Sequence, residues 1–266
     1  MDSAHPKSIL ITGASSGIGA ALAVAYAGDG TTLHLGGRDR ARLEAVAAQC
    51  RRRGARVHNH CQDVADAAGM TKWIEDAFAS GPVDLVIANA GIGGEGADRT
   101  QRRDGGRSHI PDILATNVAG VINTVYPSLD RMLARPRPVG GIRGQIAIMS
   151  SLAGFRGMPT APAYCASKAA LCSFGEGLRQ ALVRSGVKVS VICPGFVRSP
   201  MTATNDFPMP FLMTGERAAR IIQRGLARRR ARITFPRRLA AAVWIFAALP
   251  PAWSDPLVRR FRRQTG

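Results

Sequence analysis

The chain has 266 residues, 46% of them hydrophobic, which is typical of a globular protein with an ample core. Its five cysteines show no C-x-x-C spacing, so they do not indicate a metal site. The N-terminus M-D-S-A-H-P-K-S lacks the apolar core of a signal peptide. These features argue against a secreted, disulfide-bonded protein, and we expect a cytoplasmic protein whose thiols are reduced and mostly buried.

The formal net charge of +18 is concentrated near the C-terminus. From Arg217 onward there are thirteen arginines and a single acidic residue, Asp255, so about two thirds of the excess charge lies in the last fifty residues. A basic region of this kind can bind nucleic acid, an anionic membrane or an acidic partner.

Segments typical of strands and helices alternate seven times along the chain, with no linker between them. Runs such as V-D-L-V-I-A (83–88) are apolar without alternation, which predicts strands buried on both faces of a helix-covered parallel sheet. The sequence therefore predicts one doubly wound α/β domain of about seven strands, with helices on both faces. The predicted strands are residues 7–12, 31–36, 56–61, 83–88, 145–149, 187–192 and 232–235.

The segments between these strands are predicted to be helical, with one exception. Residues 92–112 are glycine-rich and polar and are predicted to be a surface loop, followed by one long helix through Asn117 and Pro127 to about Arg135. The first predicted helix follows the glycine turn and ends at about Gly28. The other predicted helices cover residues 38–50, residues 65–80, the region around Tyr164, and residues 214–229.

Three glycines with the spacing G-x-x-x-G-x-G follow the first strand, at Gly13, Gly17 and Gly19. A dinucleotide requires a tight turn at this place, because the backbone must approach the pyrophosphate at the positive N-terminus of the next helix. Ser15 and Ser16 add small donors for phosphate oxygens. The alternative is an ordinary glycine turn, but its position after the first strand of an α/β chain favours a nucleotide site.

Two further positions bear on the cofactor. Asp63 and Val64 follow the third strand, beside the crevice in which an adenine ring lies. Arg38 follows the second strand, with Gly37 where an NAD-binding protein often has an acid. An arginine here pairs with a 2′-phosphate, which favours NADP(H). NAD(H) remains the alternative, since the neighbouring Asp39 complicates this preference.

Tyr164 and Lys168 are four residues apart in a segment of good helix propensity, so their side chains share one helix face. A nearby ammonium favours the phenolate and lowers the pKa of the tyrosine towards the working range. Ser151 closes an apolar strand and is able to present a hydroxyl to the same substrate oxygen. The alternative is a packed tyrosine beside a solvated lysine, as on many helices.

In order and spacing, these motifs resemble the short-chain dehydrogenase/reductase family. The resemblance covers roughly residues 7–236 and implies a Rossmann-type domain over residues 1–236, followed by a basic, apolar extension over residues 237–266. It also implies an enzyme, an NAD(P)(H)-dependent oxidoreductase that interconverts a small-molecule carbonyl and alcohol. The matching segments are T-G-A-S-S-G-I-G (12–19), N-A-G (89–91), Asn117, Ser151, Y-C-A-S-K (164–168) and P-G-F-V-R-S (194–199).

The resemblance also implies individual roles. Tyr164 would transfer the proton, Lys168 would lower its pKa and hold the nicotinamide ribose, and Ser151 would orient the substrate oxygen. Asn117 would keep a water in a proton relay, with a structural helix asparagine as the alternative. Ser199 stands where the family more often has threonine, and the hydroxyl is kept. With the residues derived above, the candidate catalytic set is Asn117, Ser151, Tyr164 and Lys168, and the candidate cofactor contacts are Gly13, Ser15, Ser16, Gly17, Ile18, Gly19, Arg38, Asp63, Val64, Asn89, Ala90, Gly91, Tyr164, Lys168, Pro194, Gly195, Val197 and Ser199.

Residues 200–214 are rich in methionine, phenylalanine and proline, which is typical of an adaptable apolar flap over an active site. We therefore expect an apolar or bulky substrate, the alternative being a packed surface loop. A second interpretation of the whole chain is a dinucleotide sensor or scaffold without turnover. The intact set of Ser151, Tyr164 and Lys168 favours the enzyme, because a sensor does not need a proton donor.

The apolar run 239–249 lies between Arg237-Arg238 and R-R-F-R-R, and it is too short to span a bilayer. Trp244 and Trp253 with the flanking arginines suit a helix that lies peripherally on a membrane surface. The alternative is a contact with a neighbouring subunit of an expected homo-dimer or homo-tetramer, or closure of the substrate pocket. Nucleic acid is not an expected partner, because the aromatic residues are not interleaved with the basic ones.

Overall fold

A parallel sheet of seven strands lies at the centre of the protein. The computed structural model describes residues 6–93, 109–139, 141–203, 205, 207–250 and 252–254. The strands are β1 (Ser8–Ile11), β2 (Thr32–Gly37), β3 (Arg56–Cys61), β4 (Leu85–Ala88), β5 (Gly144–Met149), β6 (Val187–Pro194) and β7 (Arg232–Phe235). Their order is β3-β2-β1-β4-β5-β6-β7, and all neighbouring pairs are parallel. The predicted fold class and strand number are confirmed.

Helices cover both faces of this sheet. They are α1 (Gly17–Tyr26), α2 (Arg40–Arg51), α3 (Ala67–Ala79), α4 (Ile110–Leu114), α5 (Gly120–Leu133), α6 (Pro162–Ala181), α7 (Pro200–Ala203), α8 (Gly215–Ala227) and α9 (Arg237–Ala248). A π-helical segment (Ala115–Ala119) precedes α5, and a 3₁₀ turn (Leu152–Gly154) follows β5.

The core has two layers because consecutive residues of a strand point to opposite faces of the sheet. In β1, Ile9 and Ile11 join the layer that contains buried residues of α1, α2 and α8, whereas Leu10 joins the layer with α3, α5 and α6. The central strands are buried on both faces, which explains why their apolar residues do not alternate with polar ones.

The single long helix predicted through Asn117 is instead divided into α4, the π-helical segment and α5. The loop predicted for residues 92–112 also ends earlier, since α4 begins at Ile110; residues 94–108 lie outside the described part of the chain. Pro111 is compatible with this earlier start, because a proline in the first helical turn sacrifices no hydrogen bond.

The helix α9 follows β7 directly and lies against the sheet. Its Ala240 and Leu239 pack against Leu152 and Val191, so the described part of the C-terminal extension is attached to the α/β core. Among the helices that the structure describes, none has both the length and the apolar character needed to cross a membrane.

Candidate active site

The glycine turn after β1 is held against the end of β4. The hydroxyl of Thr12 accepts hydrogen bonds from the backbone N–H groups of Asn89 and Ala90, at 3.0 and 3.1 Å. The Asn89 amide in turn donates to the carbonyl oxygens of Thr12 and Gly13, at 3.0 and 3.2 Å. The segment Asn89–Gly91 therefore supports the turn, and Thr12, which drew no separate attention in the sequence, is its anchor.

The glycines of this turn are required by its geometry. Gly13 and Gly17 have φ angles of +65° and +56°, where side chains with a Cβ are disfavoured. A Cβ on Gly13 would lie 2.8 Å from the Cα atom of Ala90, and one on Gly19 would lie 2.5 Å from the Asn89 amide nitrogen. The backbone is thus free of side chains where a pyrophosphate would approach it.

The turn leads into the N-terminus of α1. Ser16 is the N-cap residue in an extended conformation, and its side chain makes no capping hydrogen bond. The first N–H groups of a helix have no partner within the helix, and together with the helix dipole they favour a bound anion. Ser15 lies beside Gly37 of β2, where an added Cβ would be 3.3 Å from the serine hydroxyl. The residues of this cradle fit a dinucleotide.

The residues after β2 and β3 meet at the carboxyl ends of these two strands. The guanidinium of Arg38 lies 3.6 Å from the carboxylate of Asp63, and both side chains are largely exposed. Asp39 is the N-cap of α2: it accepts from the Arg42 backbone N–H at 2.9 Å and also pairs with the Arg42 guanidinium. These bonds hold the pKa of Asp39 low. The carboxylate of Asp39, which complicated the prediction of the cofactor, is therefore already bound to the N-terminus of α2.

Val64 is buried beneath α5. Its carbonyl oxygen accepts from the Asn123 amide at 2.9 Å, and its side chain occupies the space next to Gly120, where a Cβ would overlap it. The other oxygen of Asp63 accepts from the backbone N–H of Ala65 at 2.9 Å. The chain following β3 is thereby fixed at the carboxyl edge of the sheet.

The fold brings together Tyr164, in the first turn of α6, and Ser151, two residues beyond β5. Burial raises the pKa of Tyr164, and a hydrogen bond with the Ser151 hydroxyl partly opposes this effect. Ser151 itself caps the 3₁₀ turn, accepting from the Ala153 N–H at 3.1 Å. The phenol therefore remains protonated at neutral pH, whereas the sequence predicted a pKa lowered by Lys168. The physical reason is that desolvation dominates at this position.

Lys168 lies one turn further along α6 and is almost completely buried. Its ammonium donates to the carbonyl oxygen of Met149 at 3.1 Å and lies 5.7 Å from the centre of the Tyr164 ring. Burial lowers its pKa to about 8, and the nearby thiols of Cys172 and Cys193 partly oppose this change. Lys168 is consequently a buried cation at neutral pH, one that faces Tyr164.

Asn117 is fully buried in the π-helical segment and links two other parts of the site. Its amide oxygen accepts from the Ile92 N–H at 2.8 Å, and its amide nitrogen donates to the Ile92 carbonyl and to the Ser167 hydroxyl, at 3.0 and 3.1 Å. A Cβ on Gly91 would lie 3.2 Å from the Asn117 amide oxygen and 3.3 Å from the Lys168 ammonium. Asn117 therefore lies next to Lys168, and π-helical segments are frequent at functional sites.

The segment after β6 completes the edge of the crevice. Gly195, which follows Pro194, donates to the Phe235 carbonyl at 2.7 Å, and an added Cβ would lie 3.0 Å from a terminal methyl carbon of Leu239. Val197 is buried and forms a bridge with Met213, and Ser199 exchanges hydrogen bonds with Thr202. A Cβ on Gly17 would lie 3.1 Å from that of Ser199, so this segment reaches the glycine turn. Ile18, the last member of the set, is in the first turn of α1.

Besides Thr12, the sequence analysis missed a second contributor, Ser150. The Ser150 hydroxyl donates to the Lys168 carbonyl at 2.7 Å and lies 3.2 Å from the Cys172 sulfur, so it fixes α6 against β5 next to Lys168. The only local signal was a second serine beside Ser151, and a serine pair has many structural uses.

Comparisons with known proteins assign the chain to one family. The sequence profile of the short chain dehydrogenase family matches residues 7–207. The chain belongs to this family. It is accordingly an oxidoreductase enzyme of the short-chain dehydrogenase/reductase type, and the resemblance found in the motifs is confirmed.

Similar proteins agree with this assignment. A Myxococcus xanthus (strain DK1622) protein named "Uncharacterized oxidoreductase" is 39% identical over 258 residues, which are 96% of this chain and 98% of the relative. A short chain dehydrogenase/reductase from Burkholderia phymatum, solved in complex with NAD, is 25% identical with a TM-score of 0.78, covering 91% of this chain and 93% of that one. A short-chain dehydrogenase from Sphingobium yanoikuyae, solved with NADPH, is 25% identical with a TM-score of 0.72, covering 95% and 93%. Relatives of this chain thus bind either NAD or NADPH.

Proposed function

We propose that this short-chain dehydrogenase interconverts an apolar or bulky carbonyl compound and its alcohol with NADP(H), and that Tyr164 donates and accepts the proton. The observation that carries the proposal is the meeting of Ser151, Tyr164 and Lys168 at the carboxyl edge of the sheet, on the same edge as the glycine turn. Under this proposal, residues 1–236 are the catalytic domain and residues 237–266 are an extension.

The chemistry follows from the protonation states. In reduction, the neutral Tyr164 hydroxyl donates its proton to the carbonyl oxygen, and the Ser151 hydroxyl donates a hydrogen bond to the same atom. The Lys168 ammonium stabilises the phenolate that remains, because it is a buried cation facing the ring. Asn117 positions this region through its bonds to Ile92 and Ser167; a relay through a water held by Asn117 stays a prediction.

Three parts of the candidate active site would hold the cofactor. The glycine turn and the N-terminus of α1 would hold the pyrophosphate, Asp63 and Val64 would lie at the adenine, and Val197 and Ser199 would contact the nicotinamide end. When bound, NADP(H) supplies the hydride in reduction and accepts it in oxidation.

The apolar character of the substrate is supported by the segment after Ser199. Phe196 and Phe207 form an edge-to-face pair with ring centres 6.0 Å apart, and the Met201 side chain lies against Gly93. Phe211 and Leu212 expose apolar surface on the same segment. A panel of carbonyl compounds of increasing apolar size, followed by NADPH absorbance, tests the proposal. Nothing in the comparisons supports the alternative of a sensor or scaffold. Tight NADPH binding without turnover of any compound in the panel would favour that alternative.

We expect Arg38→Ala to weaken NADPH binding by roughly ten- to a hundred-fold while changing NADH binding little. A charge-assisted bond to the 2′-phosphate contributes about 1.5 to 3 kcal/mol, and NADH has no such group. The guanidinium of Arg38 is exposed and pairs with Asp63 at 3.6 Å, whereas Asp39 is occupied by α2. The measurement is a titration of each variant with both cofactors.

Arg52→Ala is the matched control for this experiment, because Arg52 is an exposed arginine at the other end of α2. It should leave both affinities unchanged. Equal weakening of NADPH and NADH by Arg38→Ala would show that Arg38 does not select the cofactor, and Asp39 would then be the next residue to replace.

For the extension, we propose peripheral docking of α9 on an anionic membrane surface. Trp244 and Ile245 of α9 are 63% and 59% exposed, and Trp253 beyond it is 71% exposed. Arg237 and Arg238, at the start of the same helix, are also exposed, and residues 237–254 contain no acid to balance them. An exposed apolar surface with a basic border complements an anionic membrane. Assembly into a homo-dimer or homo-tetramer stays a prediction.

The double substitution of Trp244 and Ile245 by alanine is expected to lower binding to anionic phospholipid vesicles by at least about tenfold. Alanine keeps the helix but removes most of the apolar area that would enter the interface. Binding should also fall as salt is raised. Co-sedimentation with anionic and zwitterionic vesicles measures both effects.

Val183→Ala serves as the control, because Val183 is 69% exposed and lies beyond the C-terminus of α6. Point substitutions are preferable to truncation after Phe235, since Ala240 is part of the packed core. If the parent protein did not bind vesicles and the double variant formed a smaller oligomer, the surface of α9 would be a subunit contact and not a membrane contact. No change in either property would leave α9 without a docking role.

A further inference from the structure

Two cysteines that are distant in sequence meet beside the candidate active site. The sulfur atoms of Cys172 in α6 and Cys193 in β6 are 3.8 Å apart and buried. They belong to a small apolar cluster with Leu152 and Ala240, which separates them from solvent. Neither cysteine has a role in the mechanism proposed above.

The pair is coupled to Lys168 by the chain itself. Cys172 follows Lys168 by one helical turn, and the Ser150 hydroxyl joins them, because it donates to the Lys168 carbonyl and lies 3.2 Å from the Cys172 sulfur. Cys193 immediately precedes Pro194, the last residue of β6. A displacement of either sulfur therefore acts on the two elements that border the site.

The two thiols differ in character. The thiol of Cys193, hydrogen-bonded to the Cys172 sulfur, lowers the pKa of Cys172 against the opposing effect of burial, with Ser150, Arg232 and Lys168 adding to the lowering. The same contact raises the pKa of Cys193. The lowered pKa of Cys172 and the raised pKa of Cys193 favour Cys172 as the attacking and Cys193 as the resolving cysteine.

We propose that Cys172 and Cys193 form a modification site, at which a peroxide converts the two thiols to a reversible disulfide that lowers turnover. On the side of α9 the cover over the site depends on few buried contacts, since Ala240 is the single buried residue of this helix. Brief opening of this peripheral helix admits a molecule as small as hydrogen peroxide, because elements with few buried contacts open most readily.

The chemistry balances with hydrogen peroxide as the oxidant. The Cys172 thiolate attacks one peroxide oxygen, the O–O bond breaks and hydroxide leaves, which produces a sulfenic acid on Cys172. The Cys193 sulfur then attacks the Cys172 sulfur, the S–O bond breaks, and the departing oxygen leaves as water with the proton of Cys193. The two sulfurs lose two electrons in total, and the peroxide is reduced to water and hydroxide.

The disulfide has a structural consequence. An S–S bond is about 2.05 Å long, so the sulfurs must approach each other by nearly 2 Å. We expect this approach to draw the turn of α6 after Lys168 towards β6 and to change the contact of Cys172 with Ser150. Since misplacement by about 1 Å can cost on the order of a hundred-fold in rate, we expect turnover to fall by roughly ten- to a hundred-fold.

The test uses full-length protein with Cys61→Ser, because Cys61 is an exposed thiol that would react first. This protein has four remaining cysteines. Equimolar hydrogen peroxide should lower the thiol count after denaturation from four to two, and non-reducing peptide mapping should join the peptides of Cys172 and Cys193. Dithiothreitol should restore the thiols and the turnover. The thiol count does not depend on the proposed reaction, so it decides the modification by itself.

Cys193→Ser and Cys172→Ala in the same background should form no such disulfide, and Cys50→Ser should still form it, since Cys50 is buried in the other core layer. Near-UV circular dichroism verifies that each variant is folded. Retention of all four thiols in the Cys61→Ser protein, or oxidation to sulfinic acid without a disulfide, would overturn the proposed site. A disulfide with unchanged turnover would overturn the effect on activity.

Discussion

Tyr164→Phe is expected to lower kcat/KM by about 100- to 10,000-fold while leaving the affinity for NADPH and the free energy of unfolding nearly unchanged. The substitution removes only the hydroxyl, and with it the proton that general acid–base catalysis requires. Burial keeps this hydroxyl protonated, although the nearby Ser151 hydroxyl lowers its pKa in part. Steady-state kinetics on the substrate found in the carbonyl panel, together with an NADPH titration, measures both effects.

The matched control is Tyr126→Phe. Tyr126 is an exposed tyrosine on α5 that packs against Phe174, with ring centres 6.0 Å apart, and it is outside the candidate site. This variant should have the parent kcat/KM. If Tyr164→Phe turned over substrate at the parent rate, Tyr164 would not be the proton donor, and the mechanism would have to be rebuilt around another group.

Gly19→Ala is expected to have the second large effect, a loss of NADPH affinity of at least about tenfold and a fall of roughly 2 kcal/mol in the free energy of unfolding. The new Cβ would overlap the carbonyl oxygen of Gly13 and lie 2.5 Å from the Asn89 amide nitrogen. Because both neighbours are held by hydrogen bonds to each other, the turn cannot yield without losing its shape. Urea unfolding and an NADPH titration are the measurements.

Gly177→Ala provides a control with the opposite sign. Gly177 is inside α6, and a Cβ there would meet nothing within 4 Å. Alanine in an open helical position is favoured over glycine by about 0.5 to 1 kcal/mol, so this variant should be slightly more stable and bind NADPH normally. Parent-like stability and affinity in Gly19→Ala would mean that the turn is more adaptable than its packing indicates.

The arrangements that the sequence predicted correctly are those that lie in local spacing. The glycine turn follows β1 because a strand, a turn and a helix are adjacent in the chain, and Tyr164 and Lys168 share a helix face because they are four residues apart. The pKa of Tyr164 was predicted less well. Spacing indicates a neighbouring cation, but it does not measure burial, and burial has the larger effect here.

Sequence by itself determined the alternation of strands and helices, the parallel sheet and the family, because each depends on apolar periodicity or on short motifs. Only the tertiary structure decided which distant groups meet. Asn117 contacts Ser167 fifty positions away, and Cys172 meets Cys193 twenty-one positions away, with no local pattern to indicate either pair. Contacts of this kind arise when helices pack on a sheet, and chain spacing alone does not specify them.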